Sequence, residues 1–173
     1  MMMNQRKLNL NINIEKITNA ILYMLDNKVS HLNDKKLVVM LFLIDYNHLE
    51  NCGVKIFNEV YTKSKRHPTA KTLGSIFDVI ANDEDLDEED ERLYIIQEFL
   101  EYLDIEILKK EKFSELKFIK MEEDFDKSMF SDDEMKTINK VVTKYKDETP
   151  RKMANICFTI NKVRETQING QII

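Results

Sequence analysis

The scarcity of glycine and proline is the feature that most constrains how this chain can fold. Its 173 residues include only three glycines and two prolines. Barrels and sandwiches need tight turns between many short strands, and those turns use glycine and proline. We therefore predict a mainly α fold, a single helical domain with a small two- or three-stranded antiparallel sheet. The length suits one domain over residues 1–173, with residues 1–12 and 167–173 as flexible ends.

Charge and hydropathy argue against several classes of protein. The formal net charge is −5, so no global basic field attracts nucleic acid. The longest apolar run, Leu37 to Ile44, is far shorter than the ~20 residues of a membrane span. The opening MMMNQRKLNLNINIEK alternates apolar residues with Asn and lacks the apolar core of a signal peptide. We expect Cys52 and Cys157 to be buried and inert, in a reduced, cytoplasmic protein.

Apolar residues recur at helical spacing along most of the chain. The predicted helices begin at Ile14, after Asn33, after Thr69 as a cap, just before Leu93, after the capping-box residue Ser131, and at Thr149-Pro150. The second of them ends at Gly53, where positive φ is cheap. Because its first half is apolar almost all round, we expect it at the centre of the domain. The fourth is expected to turn inward Leu93, Ile96, Phe99, Leu100 and Leu103.

Two segments have the pattern of β-strands. Val54–Thr62, VKIFNEVYT, is rich in β-branched and aromatic residues, and Pro68 closes the extended stretch that it begins. Glu115–Met121, ELKFIKM, alternates apolar and polar residues. We predict that this second segment pairs with Glu59–Ser64 in a small sheet.

An acidic run, NDEDLDEEDE, covers Asn82 to Glu91. A calcium loop starting at Asp83 would need Gly at its sixth position and Glu at its twelfth, but these are Glu88 and Tyr94. The pattern therefore predicts a solvated acidic loop or helix start. Such a surface suits contact with a basic partner, and we take Asp85 as its contact residue.

A basic segment precedes the third predicted helix. It carries four cations within nine residues, Lys63, Lys65, Arg66 and Lys71. Cations ahead of a helix N-terminus suit a phosphate, but no glycine-rich loop is present to wrap one. Two interpretations stay open, an exposed basic turn and a site for nucleic acid or a nucleotide phosphate.

Asp45 and His48 lie three residues apart on the second predicted helix, and Cys52 follows one turn later. Residues at this spacing share one side of a helix, so Asp45 and His48 are candidates for a zinc site, and Cys52 with His48 for a nucleophile–base pair. Zinc would need two more ligands, and nothing in the sequence supplies an oxyanion hole. The favoured interpretation is that Asp45 and His48 form a polar anchor, which fixes the segment after Gly53 to the helix.

Three stretches of the sequence, taken in their order along the chain, resemble the motifs of a known family. They are KLVVMLFLIDYNHLENCG, VKIFNEVYTKSKRHPTAKTLGSIFDVI and FSDDEMKTINKVVTKYKDETPRKMANICFTINKVRET. This order resembles the Panacea domain, a family of SocA-like antitoxins. The matching positions are Leu43, Asp45, His48, Leu49, Gly53, Pro68, Phe130, Ser131, Tyr145 and residues 164–166. Arg66 and His67 stand where the family has Tyr-Gly, and Phe158 and Val163 replace its closing His and Trp, so the chain resembles a divergent member.

The resemblance implies a mostly helical domain with a small sheet, no cofactor and no established catalysis. Members are similar to antitoxins that bind and neutralise a toxin from a neighbouring gene. One type presents its toxin to a protease, and several members are found in prophages. We expect a non-enzymatic protein-binding module, with the contact residues Tyr61, Lys63, Lys65, Arg66, Thr69 and Asp85. The alternatives are a nucleic-acid or phosphate binder through segment 63–71, and a small hydrolase or transferase that uses Asp45, His48 and Cys52. No metal and no membrane is expected.

Overall fold

The structure, a computed structural model, describes residues 11–173. The α-helices of this part of the chain are α1 (Ile14–Asp26), α2 (Asp34–Cys52), α3 (Lys71–Ala81), α4 (Glu91–Tyr102), α5 (Asp132–Tyr145), α6 (Pro150–Cys157) and α7 (Asn161–Glu165). The strands are β1 (Tyr61–Lys63), β2 (Pro68–Ala70), β3 (Leu103–Lys109) and β4 (Ser114–Lys120). One turn of 3-10 helix spans Lys127–Met129. The predicted fold class, mainly α with a small antiparallel sheet component, is confirmed.

Helix α2 lies at the centre of the core, as its apolar composition predicts. Every residue from Lys36 to Asp45 is buried, and the helix packs against α5, α6, β2 and β4. Asn33 caps its N-terminus by accepting a hydrogen bond from the Lys36 N–H. Gly53 ends it in the left-handed region at φ 82°, where a side chain would be strained. None of the helices in the described residues is long and apolar enough to cross a membrane.

A buried lysine joins the start of α2 to the end of α5. The Lys36 side chain is fully buried, and its ammonium donates to the carbonyl oxygens of Ser30 (2.6 Å) and Lys146 (2.9 Å). Lys146 is the C-terminal cap residue of α5, where unpaired carbonyls carry partial negative charge. The predicted capping box of Ser131 and Glu134 closes the other end of α5.

The strand pairing differs from the prediction. Strand β4 lies where ELKFIKM predicted it, but it pairs with β3, in register from Leu103 opposite Lys120 to Lys109 opposite Ser114. Strand β1 pairs with β2 across a short turn instead. Most of Val54–Thr62 is irregular, because its backbone is held by buried side chains rather than by a neighbouring strand. Thr69 belongs to β2 and does not cap α3, whose first residue is Lys71.

Helix α4 turns only part of the expected face inward: Phe99 and Leu103 are buried as predicted, but Leu100 is not. Ile95 and Phe99 are buried, whereas Leu100 is 42% exposed. Leu103 already belongs to β3, because the chain passes from helix to strand with no intervening loop. Phe99 packs against Phe77 of α3 and Phe118 of β4, and these aromatic contacts set the rotation of the helix.

The predicted flexible ends need correction. Residues 1–10 lie outside the described part of the chain, but Ile12 is buried and Asn13 N–H donates to the Phe57 carbonyl. At the other end, 167–173 is not a loose tail. Ile172 and Ile173 are buried, and the tail hydrogen-bonds β1 through a bridge between Thr62 and Gln171. A strand of only three residues gains backbone partners on its second edge in this way.

Candidate functional site

A buried carboxylate positions the irregular segment that leads into β1. Asp45 Oδ1 accepts hydrogen bonds from the backbone N–H groups of Ile56 (2.7 Å) and Phe57 (3.1 Å). Its Oδ2 accepts from the Tyr61 hydroxyl at 2.7 Å. One side chain of the central helix thus satisfies the buried donors of a segment that has no strand partner.

Burial dominates the ionisation of this carboxyl group. It raises the pKa of Asp45 from 3.8 to about 6, although hydrogen bonds from Tyr61, Phe57 and Ile56 act in the opposite direction. Burial and the neighbouring Asp45 also raise the pKa of the Tyr61 hydroxyl well above its usual value, so the phenol stays protonated and donates. The arrangement is that of a structural contact rather than of a solvent-accessible acid.

His48 binds the same segment at a different point. Its Nδ1 lies 2.8 Å from the Val54 carbonyl oxygen, which can only accept, so Nδ1 carries the proton. Nε2 is buried and has no hydrogen-bond partner in the described residues. Asp45 and His48 therefore bind separate parts of the chain after Gly53 and do not bond each other.

A second buried carboxylate, which sequence reasoning missed, fixes the start of α3. Glu59 Oε1 accepts from the N–H groups of Val60 (2.8 Å) and Thr72 (3.2 Å), and Oε2 accepts from Leu73 N–H at 2.8 Å. It replaces a local cap, because Ala70 has no side chain able to bind the helix N-terminus. Burial raises the pKa of Glu59, and the backbone hydrogen bonds partly offset this.

The six predicted contact residues fall into different environments. The Tyr61 side chain is fully buried against Phe42 and Asp45, so a partner-contact role does not fit this structure. The Lys63 ammonium donates to the carbonyls of Thr166 (2.8 Å) and Arg164 (3.2 Å) at the end of α7. Thr69 is half-buried and bonds Thr62 across the hairpin. Lys65, Arg66 and Asp85 are the exposed members of the set.

Lys65 and Arg66 form the tip of the β1–β2 turn and line a groove with a volume of about 740 Å³. The turn is one wall, the N-terminal part of α6 is a second, and the β3–β4 turn is a third. The start of α2 contributes Asn33, Lys35 and Val39. The other lining residues are His67, Phe113, Glu115, Thr149, Pro150, Arg151, Ala154, Asn155 and Phe158.

The groove has an excess of positive charge. Lys35, Lys65, Arg66 and Arg151 line it against a single carboxylate, Glu115. None of these five residues takes part in an ion pair with another described residue. Unpaired cations in a concave surface focus a positive local potential, although the chain as a whole is acidic.

Two aromatic rings give the groove its apolar character. Phe113, the last residue of the β3–β4 turn, is 48% exposed, and the Lys35 ammonium lies 4.3 Å from its ring centroid. Phe158, just after α6, is half-buried. Phe113, Phe158, Lys35 and Arg151 were not predicted as site residues from the sequence. They lie far apart along the chain, and only the fold brings them to one groove. The exposed Phe between charged residues in KKEKFSE was the one local signal.

A second cavity of about 670 Å³ adjoins the groove and shares Lys35 and His67 with it. Its lining is mixed in charge, since Lys71 and Arg92 are accompanied by Asp34, Asp78 and Glu84. Asp85, the predicted acidic contact, is exposed beside Glu84 in the loop between α3 and α4 and lines neither cavity.

The catalytic arrangement considered from the sequence is not assembled. Cys52 is exposed rather than buried, and neither ring nitrogen of His48 bonds it. Asp45 is committed to backbone amides and Tyr61. The second cysteine, Cys157, is buried as expected, and burial raises its pKa to about 12. Within residues 11–173, no three His, Cys, Asp or Glu side chains are grouped to hold a metal ion.

The fold and the groove define a class, a mainly helical protein whose anchored hairpin turn lines a preformed basic groove. The profile of the "Antitoxin SocA-like, Panacea domain" family matches residues 37–159, well over half of the chain, and the chain belongs to this family. The matched range includes both hairpins and α6, and therefore three walls of the groove. No curated protein and no solved structure matches the chain. Family membership places it among antitoxin-like proteins.

Proposed function

We propose that the chain is an antitoxin-like module that neutralises a toxin, encoded by a neighbouring gene, by binding it directly. The observation that carries this proposal is the preformed groove of unpaired cations with one exposed and one half-buried aromatic ring, most of whose lining lies inside the part of the chain that matches an antitoxin family. Exposed aromatic and Arg side chains are the residues that dominate the binding energy of protein interfaces.

The mechanism we propose is steric. The groove forms the centre of an interface that buries on the order of 1,600 Å² in total, with Arg66 and Phe113 as anchors. Asp45, His48 and Glu59 hold the hairpin before the partner arrives, so little ordering free energy is spent on binding. Covering the toxin's active face is sufficient for neutralisation. A second step, presentation of the bound toxin to a protease, is compatible with the same surface.

The proposed role uses no catalysis by this chain and no cofactor. We place it in the cytoplasm, where two free thiols, one of them the exposed Cys52, stay reduced.

Co-expression with the adjacent reading frame tests the proposal. Growth is scored with the neighbour alone, with both proteins, and with this chain alone, and a tag on the neighbour is used to isolate a complex. The proposal predicts that the neighbour alone arrests growth, and that this chain restores growth and co-purifies in a fixed ratio. A non-toxic neighbour, or a toxic one that this chain neither binds nor neutralises, contradicts it.

A second candidate function is binding of nucleic acid or a nucleotide phosphate. It is favoured by the position of Lys65 and Arg66 across from Thr149 and Pro150, the N-terminus of α6, where backbone N–H groups attract anions. The four cations predicted for this role are divided, however, because Lys63 binds carbonyls of α7 and Lys71 lines the adjoining cavity. Binding of RNA or DNA that weakens steeply with salt supports this candidate, and weak binding at low salt contradicts it.

A further inference from the structure

We propose that the occupant of the groove is an acidic, extended protein segment that carries one large apolar side chain. This inference rests on the proposed function, because it names the chemistry of the partner that the antitoxin-like surface receives. It commits to a peptide rather than to a nucleic acid or a second copy of this chain.

The charge of the groove selects an acidic ligand. Its four cations face one carboxylate of the groove, and none of them takes part in an ion pair with a described residue, although Lys35 also attracts the neighbouring Asp34 carboxylate. Three of the four, Lys65, Arg66 and Arg151, are exposed at separate walls, on the β1–β2 turn and on α6. A ligand that satisfies both walls needs several carboxylates spaced along an extended backbone. Arg66 and Arg151 suit this role because a guanidinium can bind a carboxylate through two parallel hydrogen bonds.

The aromatic rings select an apolar side chain on the same ligand. Phe113 leaves 48% of its surface exposed at the groove, and Phe158 contributes a second partly open ring. The Lys35 ammonium packs over Phe113 and covers one part of the ring. An apolar side chain placed between the rings removes exposed aromatic surface from water, which favours binding. Inorganic phosphate offers nothing equivalent, whereas the bases of a single-stranded nucleic acid can stack on such rings, so the test includes an oligouridylate.

The surroundings of the groove limit the length of the anion. The chain is acidic overall, and the adjoining cavity, beyond Lys35 and His67, is mixed in charge, with Asp34, Asp78 and Glu84 among Lys71 and Arg92. A long polyanion that leaves the groove on this side meets carboxylates between the cations rather than a continuous basic surface. A segment with only a few acidic residues remains among the cations, within the ~8 Å over which charges act at physiological salt.

Fluorescence anisotropy with synthetic probes tests the inference on the full-length protein. The probes are a fluorescein-labelled nonapeptide of alternating Asp and Glu with one central Phe, the same peptide with Ser in place of Phe, its Lys analogue, and a labelled nine-nucleotide oligouridylate. The variants are Lys65→Glu with Arg66→Glu, Phe113→Ala, and the matched control Lys136→Glu with Lys140→Glu. The control pair lies exposed on α5, outside the groove. Circular dichroism establishes that each variant is folded.

The expected result is saturable binding of the acidic peptide that contains Phe. Loss of the peptide's Phe, Phe113→Ala, and the Lys65/Arg66 reversal should each weaken binding by about tenfold or more, and the control by less than about twofold. Three results overturn the inference: no peptide binding, equal loss in the control, or oligouridylate binding tighter than the peptide with the same dependence on Lys65 and Arg66. If the chain neutralises the toxin but does not bind the peptide, the inference about the occupant is wrong and the proposed function stands. If the chain binds the peptide but neutralises no neighbouring toxin, the proposed function is wrong and the inference about the groove stands.

Discussion

The Tyr61 hydroxyl donates a 2.7 Å hydrogen bond to Asp45 Oδ2, and so the first residue of β1 is fastened to the middle of the central helix. The same carboxylate binds the N–H groups of Ile56 and Phe57 through its other oxygen. The β1–β2 turn, four residues beyond Tyr61, is thereby held at one wall of the basic groove. The residues that hold the hairpin are therefore different from the neighbouring groove residues to which we assign binding, and substitutions can test the two roles separately.

Asp45→Asn should be tolerated and should flatten the pH dependence of stability. The Asn carbonyl can still accept from Ile56 and Phe57, and its amide can donate to Tyr61, whose hydroxyl can rotate to accept. In the wild type the pKa of Asp45 is about 6 in the folded state, compared with 3.8 in the unfolded chain. The folded state therefore binds the proton more tightly, and its stability falls as pH rises from about 4 to about 6.

Urea denaturation at a series of pH values measures this effect. The loss attributable to Asp45 is on the order of 2–3 kcal/mol and should be missing in Asp45→Asn. Glu59, whose pKa is also raised, contributes a smaller slope of the same sign in both proteins. Asp45→Ala is the contrasting variant, because it leaves three buried donors without a partner and should cost about 3 kcal/mol or more. Identical pH slopes for wild type and Asp45→Asn would contradict the assignment.

Glu59→Gln should be poorly tolerated, unlike Asp45→Asn. Both oxygens of Glu59 face backbone N–H groups, which cannot reverse direction as a hydroxyl can. The Gln amide would set donor against donor, at a cost of about 1–3 kcal/mol. Hydrogen exchange should show faster opening of the Thr72 and Leu73 amides, with amides of α5 as the internal control. Unchanged protection at the start of α3 would show that Glu59 is not its cap.

Tyr61→Phe should reduce stability without reducing toxin affinity. The ring still fills its site beside Phe42, but Asp45 Oδ2 loses its donor, which costs about 1–2 kcal/mol. The pKa of Asp45 should rise further, because the Tyr61 hydrogen bond lowers it. Denaturation and calorimetry with the toxin measure the two effects. Intact stability together with lost affinity would restore Tyr61 as a contact residue.

Ile172→Ser with Ile173→Ser should loosen the β1–β2 hairpin. Both side chains are buried, and their backbone pairs with Tyr61 on the edge of β1. Loss of the two apolar side chains from the core should cost about 3 kcal/mol or more. Exchange of the Tyr61 and Lys63 amides reports the loosening directly. Ile168→Ser, at an exposed position of the same segment, is the matched control and should have little effect.

The elements with strong local signals could be predicted from the sequence. Asn33, Gly53, Ser131 and Pro150 mark helix ends through capping chemistry that acts within a few residues, and the structure has each of them in that role. The predicted strand partner of β4 was wrong because alternation of apolar and polar residues indicates a strand but does not identify the strand that it pairs with. The prediction of a flexible tail was wrong because the burial of the tail depends on an edge of β1 that is distant in sequence.

The candidate site was only partly predictable for the same reason. Lys65 and Arg66 stand out in a basic segment, and their exposure agrees with a contact role. Tyrosine is a residue type common at interfaces, but the hydroxyl of Tyr61 donates to Asp45, a buried residue sixteen positions earlier. Phe113 and Arg151 reach the groove from separate elements, so no spacing rule relates them to Arg66.

The affinity of the purified toxin for three versions of this chain tests the central claim most directly. Isothermal calorimetry compares the wild type, Lys65→Glu with Arg66→Glu, and the control Lys136→Glu with Lys140→Glu. Both variants are expected to fold like the wild type, because the four substituted side chains are exposed, and the two variants have the same net charge. We predict that reversal at the groove weakens binding by about tenfold or more while the control stays within about twofold of the wild type. Equal affinity for all three proteins would contradict the claim that this groove receives the toxin.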